Sequence, residues 1–348
     1  MRILFLPGSK TSPSARFRIY QFVEPLRKLG QQVVVRSLFP ERDRNLSLSR
    51  SLEKPSAWIS AILRFISAFW ITRDIERFDV VMMNRDILPS IRIQFIEPWL
   101  SRRNPRLIFD FDDAIHLGAR NAKLKKILPY FAFITPGNPY LAEFAANYNK
   151  NIRILPTVVD SEIYHPIKER ITGPIRIGWS GSRSTLQYCL PLLENVLCQL
   201  AGQVDFEFII IADIPPSINW KNVKTRYIPW SANTEVQGLQ QIDIGLMPLS
   251  DSPFERGKCG LKAIQYMGVG IPALVSPVGV NKDIVIHKET GFHCVTDEEW
   301  ITYIKLLMDN EQLRQTMGRK GRTRMEEKYS IQSQLPNFMD VFSKVLSR

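Results

Sequence analysis

The sequence is poor in the residues that build metal or disulfide scaffolds. Its 348 residues include four cysteines, Cys189, Cys198, Cys259 and Cys294, with no C-x-x-C pair, and four histidines, His116, His165, His287 and His293, none at ligand spacing from them. No structural zinc site is expected. The dinucleotide fingerprint G-x-G-x-x-G is also missing, which disfavours a nicotinamide-dependent dehydrogenase. There is no low-complexity tract and no fixed-period repeat. Met1 runs straight into the strand-like residues 2–6, leaving no room for the apolar core of a signal peptide. A cytoplasmic, reducing location is the expectation.

What is present fits a folded two-domain protein. The length is about twice that of a typical domain. With 45% hydrophobic and 23% charged residues the chain can build sizeable cores. The net charge of +12 is uneven: through His165 there are 25 Lys and Arg against 15 Asp and Glu, and beyond it 21 against 19. The basic half attracts anionic partners, whether phospholipid, nucleic acid or a phosphorylated acceptor.

Short apolar runs alternate with helix-patterned stretches. Residues 3–6, a helix over 18–29 closed by Gly30, and residues 33–35 read as a βαβ opening, continued by runs at 80–83, 107–109, 133–135 and 152–155. These runs are too short for buried helices and too continuous for half-exposed strands, which implies a parallel sheet with helices on both faces. After the polar stretch 166–174 a second series follows at 175–179, 206–212, 225–228, 242–247 and 273–276. The expected class is α/β, two doubly wound domains over 1–165 and 166–329. The linker is placed near 160–174, and a final helix within 330–348 is free to pack on either domain.

Residues 57–71 break the pattern, being apolar at all positions but Ser60, Arg64 and Ser67. Fifteen residues fall short of the ~20 that span a bilayer. Two readings stay open: a helix wedged into the core with Arg64 at its edge, or an interfacial membrane helix with Trp58 and Trp70 at headgroup level and Arg73 and Arg77 on anionic lipid.

Ligands of doubly wound sheets bind at the carboxyl ends of strands, so the loops after each run are the candidates. The first turn, Pro7-Gly8-Ser9, lets the backbone come close to a ligand, with Arg16 and Arg18 near the helix start. After residues 107–109 comes Asp110-Phe111-Asp112-Asp113-Ala114-Ile115-His116. Alternation puts Asp110 and Asp112 on one side, and Asp113 can begin a helix. The acids suit a site that orients or deprotonates a hydroxyl; a plain N-cap with His116 at the surface, or a divalent metal site, are the alternatives. The second domain opens with Gly178-Trp179-Ser180-Gly181-Ser182-Arg183, a helix start suited to a diphosphate. Richest is the stretch from Glu255 to Pro272. There Gly257 and Gly260 expose backbone N–H groups beside Lys258 and Lys262, and Gln265 follows on the same helix.

This stretch, with Pro277-Val278-Gly279 and Asn281, resembles the second domain of the retaining glycosyltransferases of family 4, the group 1 glycosyltransferases of GT-B fold. The Arg16-Phe17-Arg18 loop, Asp110 to Asp113, the crossover Ile154-Leu155-Pro156-Thr157-Val158-Val159-Asp160, Gly178 to Ser182, and Leu313-Arg314 through Gly318 are similar as well. The resemblance implies two Rossmann-like domains facing across a cleft, the second binding a nucleotide sugar and the first the acceptor. It further implies Ile228, Pro229 and Trp230 near the base. The family's donor motif has two glutamates separated by seven residues, the second on the ribose. Aligned on Tyr266 to Pro272, the first falls on Gly257 and the second on Gln265, so both are absent here. Gln265 still donates to and accepts from hydroxyls without the charge, and Glu255, two positions early, is left as a substitute for the first.

The expectation is therefore a glycosyltransferase moving a sugar, with retention, to a glycan or lipid-linked acceptor in cell-surface polysaccharide or glycolipid synthesis. Lys258 and Lys262 would meet the leaving diphosphate, with Arg183 as a further candidate. Gly181, Ser182, Gly257, Gly260, Gln265 and residues 228–230 would bind the donor. Asp112 or Asp113 would orient the acceptor hydroxyl, and Gly8, Arg16, Arg18 and His116 would line the acceptor side. No cofactor or metal is expected, no nucleic acid partner, and an anionic membrane surface is a partner for the basic half and residues 57–77. A non-catalytic sugar-nucleotide or glycan-binding homologue and a nucleotide-sugar epimerase are the alternatives.

Overall fold

A computed structural model describes residues 1–37, 57–87, 95–118, 121–167 and 173–348, with 57–64 described by their backbone alone. Strands β1 (Arg2–Leu6), β2 (Gln32–Val35), β3 (Val80–Asn84), β4 (Leu107–Phe111) and β5 (Phe133–Pro136) form one sheet in the order β2-β1-β3-β4-β5. Every pairing in it is parallel. Strands β6 (Ile175–Gly181), β7 (Phe206–Ala212), β8 (Lys224–Pro229), β9 (Ile244–Met247), β10 (Ala273–Val275) and β11 (Gly291–His293) form a second, also parallel, in the order β11-β10-β9-β6-β7-β8. Parallel neighbours need crossover connections, and right-handed crossovers running opposite ways from β1 and from β6 are expected to put helices on both faces of each sheet. The burial of β3 and β4 at every position agrees with this, and each opens with an apolar run, 80–83 and 107–109.

The order reverses between β1 and β3 in the first sheet and between β6 and β9 in the second. These are the topological switch points, where the loops part and leave a crevice at the strands' carboxyl ends.

The chain divides into one unit of Met1–Pro156 with Leu335–Arg348 and another of Thr157–Gln334. The first division falls between Pro156 and Thr157 and not after His165, because residues 157–165 are bonded into the second unit. Val159 N–H donates to Tyr329 O at 3.0 Å, and Ile331 N–H to Val159 O at 3.0 Å. The helix Ile331–Leu346 starts in the second unit and ends in the first. In the first, Phe338 stacks on Phe22 with ring centroids 4.0 Å apart, and Arg153 meets Asn337 at 2.5 Å and pairs with Asp340.

Three other expectations change. The helix expected over 18–29 is broken: Pro13–Arg18, a 3-10 turn at Tyr20–Phe22, then Val23–Lys28. Pro25 has no N–H to donate and is accommodated in a first turn, so the helix restarts just before it. Residues 152–155 form no strand: Ile152 bridges to Ile134, and Leu155 N–H donates to Pro136 O at 3.1 Å. The short β11 pairs with β10 where no strand was expected.

The described side chains of the helix Ala57–Thr72 are not wedged into the core. Phe65, Ile66, Phe69 and Trp70 are exposed, while Ala68 and Thr72 are buried. Trp58 and Arg64 lie outside the described side chains. Among the described residues no helix is long and apolar enough to cross a membrane.

Candidate functional site

In the first unit the carboxyl ends of β3, β4 and β5 bring a polar cluster together. Strand register sets it up, for Asn84 lies opposite Asp110 and Asp110 opposite Thr135. Asn84 Nδ2 donates to Asp110 Oδ2 at 3.0 Å and Thr135 Oγ1 to Asp110 Oδ1 at 2.8 Å. Into this row comes Arg18, only 1% exposed. Its Nε donates to Asp110 Oδ2 at 3.1 Å, its Nη2 to Asp110 Oδ1 at 2.5 Å and Thr135 O at 3.2 Å, and its Nη1 to Leu155 O. Arg18 is therefore not an acceptor-gripping residue. A fork-to-fork ion pair with extra carbonyl acceptors is how a guanidinium and a carboxylate tolerate full burial. Arg18 and Asp110 brace the floor beneath the site.

Asp112 and Asp113 sit above that floor and keep partial access, at 14% and 35% side-chain exposure. Ser14 Oγ donates to Asp112 Oδ1 at 2.5 Å, and Arg85 Nη2 bridges Asp112 at 3.2 Å and Asp113 at 2.6 Å. Arg85 has φ of 71°, a left-handed conformation that non-glycine residues seldom hold. The two carboxylates hold its guanidinium pKa above the ordinary value against the opposing effect of burial. Ser14, Asn84 and Arg85 belong to this cluster and escape the motif reading. Arg85 directly follows a strand run, and the strand-end rule was sufficient to find it.

Arg16 is half-buried with its guanidinium 4.9 Å from the Phe17 ring centroid, and the Gly8 carbonyl accepts from Ser37 Oγ at 3.0 Å. His116 is buried and stacked on Phe144 at 4.2 Å, not at the surface. Burial holds its pKa below the usual imidazole range.

In the second unit the loops after β6 and β9 flank the switch point. Two of the expected diphosphate elements behave differently. The helix Arg183–Cys189 already has an acid at its start, since Arg183 N–H donates to Asp213 Oδ1 at 2.6 Å and the Ser182 side chain makes no cap bond. Gly181 serves packing, for a Cβ there would stand 2.3 Å from the Trp179 indole and 2.6 Å from Thr185 Oγ1.

The helix Leu261–Gly268 is better suited. Gly260, its N-cap, has φ of 67°, and a Cβ there would lie 2.1 Å from Ile284 Cδ1. No side chain caps the start of this helix, and an uncapped helix N-terminus is where an anion can be received. Lys262 Nζ lies 5.4 Å from the Trp179 ring centroid, and Lys258 Nζ pairs with Glu255 at 2.6 Å, both side chains under a fifth exposed. Glu255 thus meets the lysine next to the helix start. Gly257 is buried with ordinary helical φ, so only Gly260 needs glycine's left-handed freedom. Tyr266 anchors the helix below: its hydroxyl donates to Leu246 O at 3.1 Å and accepts from Ser180 N–H at 3.2 Å. Gly245 makes room for that ring, where a Cβ would fall 2.4 Å from Cγ.

Ile228 and Trp230 are half-buried and Pro229 is exposed at the end of β8. Trp230 Nε1 donates to Glu235 Oε1 at 2.8 Å, Tyr164 Oη to Glu235 Oε2 at 2.5 Å, and Gln265 Nε2 to Tyr164 Oη at 3.1 Å. Tyr164 and Glu235 also escape the motif reading. Among the described residues there is no cluster of three or more His, Cys, Asp or Glu that could hold a metal ion.

Residues 222–324, within the second unit, match the family model for glycosyl transferases group 1. No curated protein matches the sequence. Among solved structures the whole chain is similar to sucrose-phosphate synthase from Thermosynechococcus elongatus, at 13% identity, TM-score 0.69, covering 99% of both chains. It is also similar to HepE of Anabaena in complex with UDP and glucose, at 13% identity and TM-score 0.68 over 98% of this chain and 99% of that one. The catalytic domain of starch synthase IV from Arabidopsis thaliana, bound to ADP and acarbose, gives 11% identity, TM-score 0.69 and 99% of both chains. The fold is the α/β GT-B architecture of these enzymes.

Proposed function

We propose, from a GT-B chain whose second unit carries the group 1 glycosyltransferase match, that the protein is a retaining glycosyltransferase acting on a nucleotide-sugar donor and a glycan or lipid-linked acceptor. The observation that carries the reading is the start of the helix Leu261–Gly268, where left-handed Gly260 leaves the N-terminus without a capping side chain, in a stretch that also holds Lys258 and Lys262.

In the reaction the bond from the anomeric carbon to the diphosphate breaks, and its electron pair leaves on the nucleoside diphosphate. A bond forms to an acceptor hydroxyl oxygen, which loses its proton. Charge therefore grows on the diphosphate, and donors already aimed there lower the barrier. The helix N-terminus and the two lysines fill that role, with Glu255 holding Lys258 in place until the anion arrives. Trp230 offers the base a flat face and Gln265 offers a hydroxyl partner. In the first unit Asp112 and Asp113, tethered by Arg85, accept from the acceptor hydroxyl, and Arg16 supplies positive charge.

A lipid-linked acceptor is supported by the exposed face of the helix Ala57–Thr72. Phe69 and Trp70 are 52% and 58% exposed, Phe95 adjoins Phe65 at 6.1 Å, and Trp99 adjoins Phe69 at 6.3 Å. Arg73 lies over Trp70 and Arg103 over Trp99. Aromatic rings rimmed by arginine, in a half carrying nearly all the net positive charge, complement the headgroups of an anionic bilayer.

The test of donor binding is a melting-temperature panel of UDP, GDP, ADP and their common sugar conjugates on wild type and Lys258→Ala. One nucleotide is expected to raise the melting temperature, by the equivalent of ~2.7 kcal/mol at a hundred times its Kd. Lys258→Ala loses that shift and, with an acceptor found, loses transition-state stabilisation on the order of 3 kcal/mol. No shift with any nucleotide on folded wild type overturns the reading.

A further inference from the structure

Gln265, Tyr164, Glu235 and Trp230 form one chain of hydrogen bonds whose direction is fixed by chemistry. All but Trp230 are at least nine-tenths buried. An ionised carboxylate has only lone pairs to offer, and an indole N–H can only donate. Glu235 therefore accepts from both Trp230 Nε1 and Tyr164 Oη, at 2.8 and 2.5 Å. The single proton of the Tyr164 hydroxyl is committed to Glu235, so toward Gln265 it presents lone pairs alone. Gln265 answers with Nε2, at 3.1 Å. The two ends of an amide are told apart by such a network, and here it allows one orientation. Oε1 must point the other way, and among the described residues no donor meets it.

We infer that Tyr164 and Glu235 are positioning residues that lock Gln265 as a hydrogen-bond acceptor for a hydroxyl of the nucleotide-sugar donor. This rests on the second unit being the donor-binding one. The acceptor that a carboxylate at position 265 would supply is supplied by a neutral amide, because the carboxylate stands two residues further back in the chain of bonds, behind Tyr164. The same logic makes a glutamate at 265 unwelcome: two buried carboxylates would compete for one tyrosine proton, and one of them would face a lone pair.

The test begins without ligand, on the melting temperatures of wild type, Gln265→Glu, Glu235→Gln and the double exchange. Gln265→Glu is expected to lower the second unit's melting temperature by about 5 °C. The double exchange reverses the relay: an amide at 235 donates to Tyr164, whose proton turns to the carboxylate at 265, while Trp230 keeps an acceptor. It is expected to recover at least half of the loss, and strictly additive losses overturn the relay. The second measurement is binding of UDP, GDP and ADP against their 2′-deoxy and 3′-deoxy forms. Wild type should favour the ribonucleotide over one deoxy form by about 5- to 10-fold, and Tyr164→Phe should reduce that preference to about 2-fold with deoxy affinity unchanged. A preference intact in Tyr164→Phe overturns the positioning role. Thermal coupling with no nucleotide bound to wild type keeps the relay but overturns its donor role, together with the donor-binding reading.

Discussion

Removing the guanidinium of Arg18 should unfold the first unit early and leave acceptor recognition alone. Arg18→Met deletes both contacts to Asp110 and the bonds to Thr135 O and Leu155 O, while among the described residues the Asp110 carboxylate keeps only Asn84 and Thr135 as donors. Breaking one side of a fully buried ion pair costs about 3–5 kcal/mol, since the remaining charge stays in place without its partner. For a unit of this size each kcal/mol moves the midpoint by about 2–4 °C, so a fall of roughly 6–20 °C is expected. Arg18→Lys should be nearly as damaging, because a single ammonium cannot reproduce a two-pronged contact plus two carbonyls. Adding Asp110→Asn to Arg18→Met should restore part of the loss by removing the stranded charge. The assay is calorimetric melting with and without a bound nucleotide, which separates the second unit's transition from the first. An Arg18→Met protein that melts like wild type yet shows a raised acceptor KM would refute the argument and return Arg18 to the acceptor.

Three other outcomes follow from the same structure. Phe69→Ala with Trp70→Ala should abolish co-sedimentation with vesicles containing phosphatidylglycerol without changing the melting temperature. Equal binding of wild type to purely zwitterionic vesicles, or a dimer in their absence, counts against a charged bilayer as the partner. Burial raises the Glu97 pKa above its ordinary 4.5, with Lys123 at 3.4 Å opposing the shift and Asp86, itself 2.9 Å from Lys123, adding to it. The folded state then holds the Glu97 proton more tightly than the unfolded one, so this group's contribution to stability is present below pH 4.5 and is lost as pH rises through the folded value. Glu97→Gln should accordingly be more stable than wild type at pH 7 and no more stable at pH 4; a lower melting temperature at pH 7 would show that Glu97 is needed to neutralise Lys123. Gly260→Ala places a methyl against Ile284 and forces alanine into a left-handed backbone, which costs about 1–2 kcal/mol before any clash. Nucleotide-induced stabilisation should fall with it.

The strands were legible because parallel sheets covered on both faces leave continuous apolar runs, and 80–83 and 206–212 announce themselves in that way. The strand Gly291–His293 did not, being three residues with a glycine and a histidine in it. The glycine and lysine pattern around Gly260 was legible as a helix start because left-handed glycine, cation and helix recur together for a physical reason. Pairing between distant charges leaves no such trace. Arg18 and Asp110 are separated by 92 positions, and each looks like a site residue until the partner is seen. The reverse error hid Tyr164 and Glu235, since a tyrosine in a crossover and a glutamate at a helix start have ordinary reasons to be there.

The last fourteen residues have a consequence for how the molecule is made. Leu335–Arg348 belong to the unit that begins with Met1, and they supply Phe338 against Phe22, Phe342 beside Phe5, and the partners of Arg153. On a ribosome the second unit, Thr157–Gln334, is complete in sequence before the first one is. The nascent first sheet must wait, with Phe5 and Phe22 uncovered, while 178 further residues are translated. Such a chain is most exposed to chaperones and to aggregation in that interval, and loss of residues 335–348 damages the part that was synthesised first.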